Sequence, residues 1–168
     1  MSDSSEPPHD PILRVTSNKD LRITLIGTGT IGLSFAAFHL THLLSPSQLT
    51  IYDVRPNLSS YVSSILPQFF ASSSSEAPPP AASISNIRIA TSLESAVHDA
   101  HIIQESGPEN LSFKQELWAQ VEKYAPEHAL LWSSTSGIPA SQQAERMSSK
   151  ARLLVVHPYN PCLLYTSL

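Results

Sequence analysis

Apolar residues along this chain fall into short unbroken runs, separated by longer stretches with helical spacing. The runs are Leu21–Ile26, Leu49–Tyr52, Ile87–Ala90, His101–Gln104, Leu130–Ser133 and Arg152–Val156. None alternates strictly between apolar and polar positions, so each reads as a parallel strand covered on both faces. Between them, Ile31, Phe35, Phe38 and either Leu43 or Leu44 share one helical stripe, and Leu111, Gln115, Trp118 and Val121 define another. A further helix is expected near Asn57–Phe70, although Ser59, Ser60, Ser63 and Ser64 are poor helix formers. Strands alternating with helices build right-handed βαβ units, so the pattern predicts an α/β domain, doubly wound around a mostly parallel sheet, over residues 21–161.

Two segments fall outside this texture. Residues 1–20 carry Ser, Pro, Asp and Lys without periodicity and read as a disordered leader. Residues 71–83 form a Ser/Ala/Pro-rich stretch too proline-dense for helix or strand, and read as a loop. The 168-residue chain has 10 Lys+Arg against 14 Asp+Glu, a net charge of −4. That balance argues against a protein built to neutralise nucleic-acid phosphates or to sit on an anionic membrane surface. No apolar run approaches the ~20 residues a membrane helix needs, and the acidic, Pro-bearing start gives no expectation of a secretory signal. Cys162 is the single cysteine, which excludes an intrachain disulfide and fits a reducing, cytoplasmic location. His39 and His42 share a helix face without a third ligand at metal-site spacing, so both read as exposed polar positions and no metal is expected.

The first chemical signal follows the first strand directly. Gly27-Thr28-Gly29-Thr30-Ile31-Gly32 lies between that strand and a helical pattern, the context in which a G-x-G-x-x-G motif carries meaning. Gly27 permits the tight turn, Gly29 lets backbone approach a pyrophosphate, and Gly32 lets helix and strand pack closely. The helix N-terminus adds free N–H groups and partial positive charge. The second strand ends on Asp53, 21 residues after Gly32, where a carboxylate can accept both ribose hydroxyls and repel a 2′-phosphate. NAD is therefore the expected cofactor, with Arg55 leaving NADP open. Together these features identify a Rossmann-type fold.

Three further motifs end predicted strands: Gln104-Glu105-Ser106-Gly107-Pro108-Glu109-Asn110, Ser133-Ser134-Thr135-Ser136-Gly137, and His157-Pro158-Tyr159-Asn160-Pro161. Strand carboxyl ends form the ligand crevice of an open α/β sheet, so all three would face a bound dinucleotide. In this order the segments resemble the NAD-binding domain of the 3-hydroxyacyl-CoA dehydrogenase family. The texture is closest to the branch acting on small hydroxy acids, the L-gulonate 3-dehydrogenase/lambda-crystallin and carnitine dehydrogenase relatives. The resemblance implies that Gly27, Gly29, Thr30, Ile31 and Gly32 hold the pyrophosphate and Asp53 the adenine ribose. It places Glu105 and Asn110 on the nicotinamide side, Ser136 between cofactor and substrate, and His157 as the acid/base. A histidine titrating near neutrality suits removal of the hydroxyl proton as hydride leaves for the nicotinamide.

Competing readings stand beside these roles. Ser136 could cap a helix before Ile138-Pro139, Glu105 could be a solvated strand end, and Asn160 could bond local backbone. Beyond Pro161 the chain departs from the family pattern, so residues 162–168 read as an aberrant tail and the family's helical C-terminal domain is expected to be missing. The resemblance implies a hydroxy acid or acyl-CoA substrate and a homodimer at full length. From Pro56 to Asn86 there is no Lys, Arg or His, which disfavours a phosphate-rich CoA ester. A non-catalytic NAD(H)-binding protein of the crystallin kind and a flavin-binding oxidoreductase remain the alternatives.

Overall fold

The computed structural model describes residues 19–70 and 84–158. The expected leader up to residue 18, the loop at 71–83 and the segment 159–168, with Asn160 and Cys162, lie outside the described residues. Among the described residues six strands form one sheet: β1 (Ile23–Ile26), β2 (Leu49–Tyr52), β3 (Arg88–Ile89), β4 (Ile102–Glu105), β5 (Leu130–Ser133) and β6 (Leu153–Val155). Their spatial order is β3-β2-β1-β4-β5-β6, and every pairing is parallel. The order reverses direction between β1 and β4, which opens a crevice at their carboxyl ends.

The connections are helical. They are α1 (Thr30–His42), α2 (Leu58–Ile65), α3 (Pro67–Phe70), α4 (Leu93–Val97), α5 (Leu111–Tyr124) and α6 (Ala140–Gln143). Each face of the sheet carries its own core, because successive strand side chains point to opposite faces. Ile23 and Leu25 of β1 pack with Leu33, Phe35, Leu49 and Ile51 on one face. Ile103, Leu131 and Leu153 pack with Val97, Trp118 and Val121 on the other. The helix expected at Asn57–Phe70 is two helices, the second opening with Pro67 at its first position, where a missing N–H costs nothing.

Four expectations need correction. The stripe foreseen on α1 holds for Phe35, which is buried, and for Ile31 and Leu43, which pack against the core, but fails at Phe38, 43% exposed. Apolar residues surround this helix, and packing against the sheet and α3 also buries Leu33, Ala36, Ala37 and His39. His39 is thus a core residue, while His42 is exposed as expected. Cover on both faces holds for β1 but not for β6, where Leu154 and Val155 are exposed. Strand ends also shift, with β3 reduced to Arg88–Ile89 and β4 running one residue later, through Glu105.

The approach of α1 to β1 depends on two glycines. Gly27 has φ +97°, a left-handed conformation that L side chains rarely adopt, and a Cβ there would lie 2.8 Å from the Ser106 carbonyl oxygen. A Cβ on Gly32 would overlap the Gly27 carbonyl oxygen. Because both sides of that overlap are backbone, no rotamer change relieves it. Gly32→Ala should therefore lower unfolding stability by about 3 kcal/mol, at the top of the usual overpacking range, in urea denaturation; a change below about 0.5 kcal/mol would contradict the close approach.

Candidate functional site

The crevice has three walls, each built where a strand ends. On the first, the Gly27 amide donates to the Tyr52 carbonyl at 2.9 Å, tying the glycine turn to the end of β2. Gly29 precedes α1 in extended backbone, and a Cβ on it would meet nothing within 4 Å. Open space over Gly29, beside the exposed N-terminus of a 13-residue helix without acidic side chains in its first turn, fits the diphosphate of a dinucleotide. Thr30 and Ile31 open that helix and Gly32 completes its first turn.

Asp53 sits at the mouth of β2. Its Oδ2 accepts from the Thr28 amide (2.7 Å) and hydroxyl (2.6 Å), and its Oδ1 accepts from the Arg55 amide (2.9 Å). Burial alone would raise this carboxyl, but the Thr28 and Arg55 donors and the Arg55 charge outweigh it and hold it below its ordinary value. Asp53 therefore presents a fixed anion to a cavity of about 660 Å³ that Gly29, Val54, Leu93 and Pro108 also line. That volume lies in the ordinary range for small-molecule sites. Arg55 turns away, stacking its guanidinium 3.7 Å from the centre of the Tyr61 ring.

The second wall follows β4. Glu105 is fully buried, which corrects the alternative of a solvated strand end. Its Oε1 accepts from Lys114 Nζ at 2.7 Å and from the Gly107 amide at 2.6 Å. Its Oε2 accepts from Lys114 Nζ at 2.8 Å and from the Ser133 hydroxyl at 2.9 Å. Both oxygens are thus engaged by the chain itself. Asn110 caps α5, its Oδ1 accepting from the Phe113 amide at 2.9 Å. Together they set where the β4–α5 loop runs.

The third wall joins the β5 and β6 ends. Ser136 Oγ lies 3.0 Å from His157 Nε2, so the structure brings the two expected reaction groups together. Glu109 holds the loop beneath them, its Oε1 accepting from the Thr135 hydroxyl and from the Ser136 (3.1 Å) and Gly137 (2.9 Å) amides. Desolvation would raise the Glu109 carboxyl, yet these donors and the Lys114 charge keep it below its ordinary value. The capping role considered for Ser136 is not found: Pro139 precedes α6 without a side-chain cap, and within the loop the Ile138 amide donates to Thr135 Oγ1 at 3.1 Å. Among the described residues no cluster of His, Cys, Asp and Glu could hold a metal ion.

Sequence reasoning missed Thr28, Glu109 and Lys114. Lys114 had a signal, for it lies three residues after Leu111 and four before Trp118, on the apolar stripe of α5, where a cation needs a buried partner.

A parallel sheet with this strand order, a glycine turn opening onto α1, and an acid closing β2 define a dinucleotide-binding dehydrogenase domain. Residues 22–166 match the model of the 3-hydroxyacyl-CoA dehydrogenase NAD-binding domain. The L-carnitine dehydrogenase of Mesorhizobium japonicum is 34% identical over 140 residues, 83% of this chain and 38% of that protein. That of Nocardiopsis dassonvillei is 31% identical over 149 residues, 88% of this chain and 44% of that one. A 3-hydroxyacyl-CoA dehydrogenase from Archaeoglobus fulgidus superposes with a TM-score of 0.63 at 27% identity, covering 86% of this chain and 44% of that one. A diketoreductase superposes at 0.73 with 23% identity, covering 84% and 50% of the two chains, a likeness of fold. The chain belongs to the 3-hydroxyacyl-CoA dehydrogenase family and contains its NAD-binding domain, with NAD as cofactor. It spans less than half the length of these curated relatives.

Two outcomes follow from the site's electrostatics. Lys114→Met leaves the Glu105 charge buried and unpaired, and should cost about 3–5 kcal/mol in denaturant unfolding. The double substitution Glu105→Gln/Lys114→Met should recover part of that loss, and a fully additive pair would contradict the coupling. Asp53 has its folded pKa below its unfolded value, so its contribution is complete above about pH 4 and is lost as pH falls through the folded pKa. Melting temperature should accordingly fall less steeply below about pH 4 in Asp53→Asn than in the parent.

Proposed function

We propose that this chain is the cofactor half of an NAD-dependent dehydrogenase acting on the secondary alcohol of a small hydroxy acid. The observation that carries the reading is the 3.0 Å contact between Ser136 Oγ and His157 Nε2 at the carboxyl ends of neighbouring strands. In this reading the open turn at Gly29 takes the diphosphate and Asp53 accepts the ribose hydroxyls. NAD supplies a hydride acceptor when bound. His157 takes the hydroxyl proton as hydride leaves the carbinol carbon, and returns it in the reverse direction. Ser136 donates to the same oxygen and holds it in line. Glu105 and Asn110 act on the nicotinamide side by fixing the β4–α5 loop.

A free hydroxy acid is favoured over a CoA ester by the absence of Lys, Arg and His from Pro56 to Asn86. The names of the 31–34% identical relatives, L-carnitine dehydrogenase, point the same way. A homodimer at full family length and a likeness to the gulonate-acting branch belong to the same proposal and rest on the resemblance. A cytoplasmic location belongs to it too and rests on the single cysteine. Among the described residues no helix is long and apolar enough to cross a membrane.

Titration by nicotinamide fluorescence should show NADH bound more tightly than NADPH. Asp53→Ala should weaken NADH by about 1.5–3 kcal/mol, the worth of a hydrogen bond to a charged group. NADPH bound as tightly as NADH would remove the basis for Asp53. In an enzyme of full family length carrying this domain, His157→Ala should lower kcat by about 10²–10⁴ while NADH affinity holds. Turnover of 3-hydroxybutyryl-CoA well above that of L-carnitine, L-gulonate and 3-hydroxybutyrate would overturn the substrate class. NADH binding without turnover of any of these by that enzyme would favour the non-catalytic alternative, and a tightly held flavin would favour the other.

A further inference from the structure

A line of buried polar side chains crosses the core beneath the crevice, and the proposed reaction does not use it. His39, in the last turns of α1, is 7% exposed, and Gln104 of β4 is fully buried. Gln104 lies in the sheet between Leu25 of β1 and Trp132 of β5, a position where an apolar side chain would serve packing alone. A primary amide placed there is strongly unfavourable unless both of its ends find partners. They do: Gln104 Oε1 lies 2.9 Å from His39 Nε2, and Gln104 Nε2 donates to Ser134 Oγ at 3.2 Å. Ser106 Oγ donates to the same hydroxyl oxygen at 3.2 Å.

The chemistry fixes the direction of the chain. An amide oxygen only accepts, so the hydrogen between the two side chains sits on His39 Nε2. Burial pushes the His39 imidazole below its ordinary pKa, the Gln104 hydrogen bond offsets part of this, and the neighbouring His42 lowers it further. The neutral Nε2–H tautomer is therefore the form that meets Gln104. At the far end, Ser134 begins the loop that carries Ser136, and its amide donates to the Glu105 carbonyl at 2.9 Å. Ser106, the other partner of Ser134, follows Glu105 and faces the glycine turn, where its Cβ lies 3.6 Å from the site of a Cβ on Gly32.

We propose that His39 is a positioning residue for the dinucleotide crevice: its Nε2–H orients the Gln104 amide, which anchors Ser134 and so sets the loop bearing Ser136 against the β4 loop. The effect falls on the loop bearing Ser136; the glycine turn keeps its tie through the Ser106 amide to the Ile26 carbonyl (2.8 Å), and Asp53 keeps its Thr28 and Arg55 donors. This inference rests on the dinucleotide reading for its ligand arm alone; the loop anchoring is a property of the ligand-free chain.

The test uses the 168-residue chain. His39→Leu removes the donor at similar size, His39→Gln keeps an N–H donor, and Ser134→Ala cuts the far end at a half-buried position. Amide hydrogen exchange is followed at Ser136 and Gly137, with the Ile51 amide in β2 reporting global opening. Relative to Ile51, exchange at both loop amides should rise about tenfold in His39→Leu and Ser134→Ala, as loss of one hydrogen bond of about 1 kcal/mol or a little more gives, and stay within about twofold in His39→Gln. NADH affinity should fall about fivefold in the two broken variants, with ADP-ribose affinity within about twofold of the parent. Unchanged relative exchange in folded His39→Leu would overturn the proposal, as would equal increases in His39→Leu and His39→Gln. If His39→Leu does not fold, unchanged loop exchange in Ser134→Ala overturns it alone. A parent that binds neither NADH nor ADP-ribose refutes the dinucleotide reading, and the exchange arm still decides the anchoring.

Discussion

The crevice depends first on a carboxylate that water never reaches. Glu105 ends β4 inside the domain and is satisfied from three sides, by Lys114 of α5, the Gly107 amide and the Ser133 hydroxyl of β5. Removing both charges from water costs several kcal/mol per ion, and only such complete hydrogen bonding offsets it. The geometry is therefore exacting. Lys114 must enter the core at one height, which fixes the register of α5 and the length of the loop before it. That loop delivers Glu109, whose carboxylate gathers the Thr135 hydroxyl and the Ser136 and Gly137 amides. The position of Ser136 relative to His157 is thus set by a chain of contacts that begins at a buried ion pair.

The opposite wall depends on the absence of side chains. Backbone meets backbone where Gly27, Gly32 and Ser106 converge, and no larger residue fits at either glycine. Close approach there aims α1 at the space between β1 and β4, the point at which the sheet order reverses. Charge and close packing therefore act from two sides of one opening. Asp53 and Glu109, each held ionised by local donors, mark the β2 and β5 sides of it.

Much of this was legible in the sequence because it rests on local rules. Unbroken apolar runs located the six described strands, and double-sided burial accounts for β1, while β6 carries the same pattern with Leu154 and Val155 exposed. The glycine motif and Asp53 were legible because backbone conformation and strand ends constrain single positions. What stayed hidden was pairing across the sheet. Glu105 reads as a ligand contact or a solvated strand end until Lys114 is seen to reach it from nine residues away. His39 looked exposed because α1 is apolar on all sides, which erases the periodicity that separates inside from outside. Asn110 reads as a site residue by motif and as a helix cap by geometry, and only the backbone path distinguishes them.

The central claim is that the carboxyl ends of β1, β4 and β5 form the NAD site of this domain. A second, more polar cavity of about 910 Å³, lined by Glu122, His128, Ser149 and Arg152, lies beyond the C-terminal end of α5 and supplies the natural control. Titrating the isotope-labelled chain with NAD and following its amide resonances tests the claim most directly. Shifts should concentrate at Gly27–Gly32, Gly107 and Ser134–Gly137, with His128 and Ser149 unmoved. Shifts confined to the second cavity, or none at saturating NAD, would contradict the account.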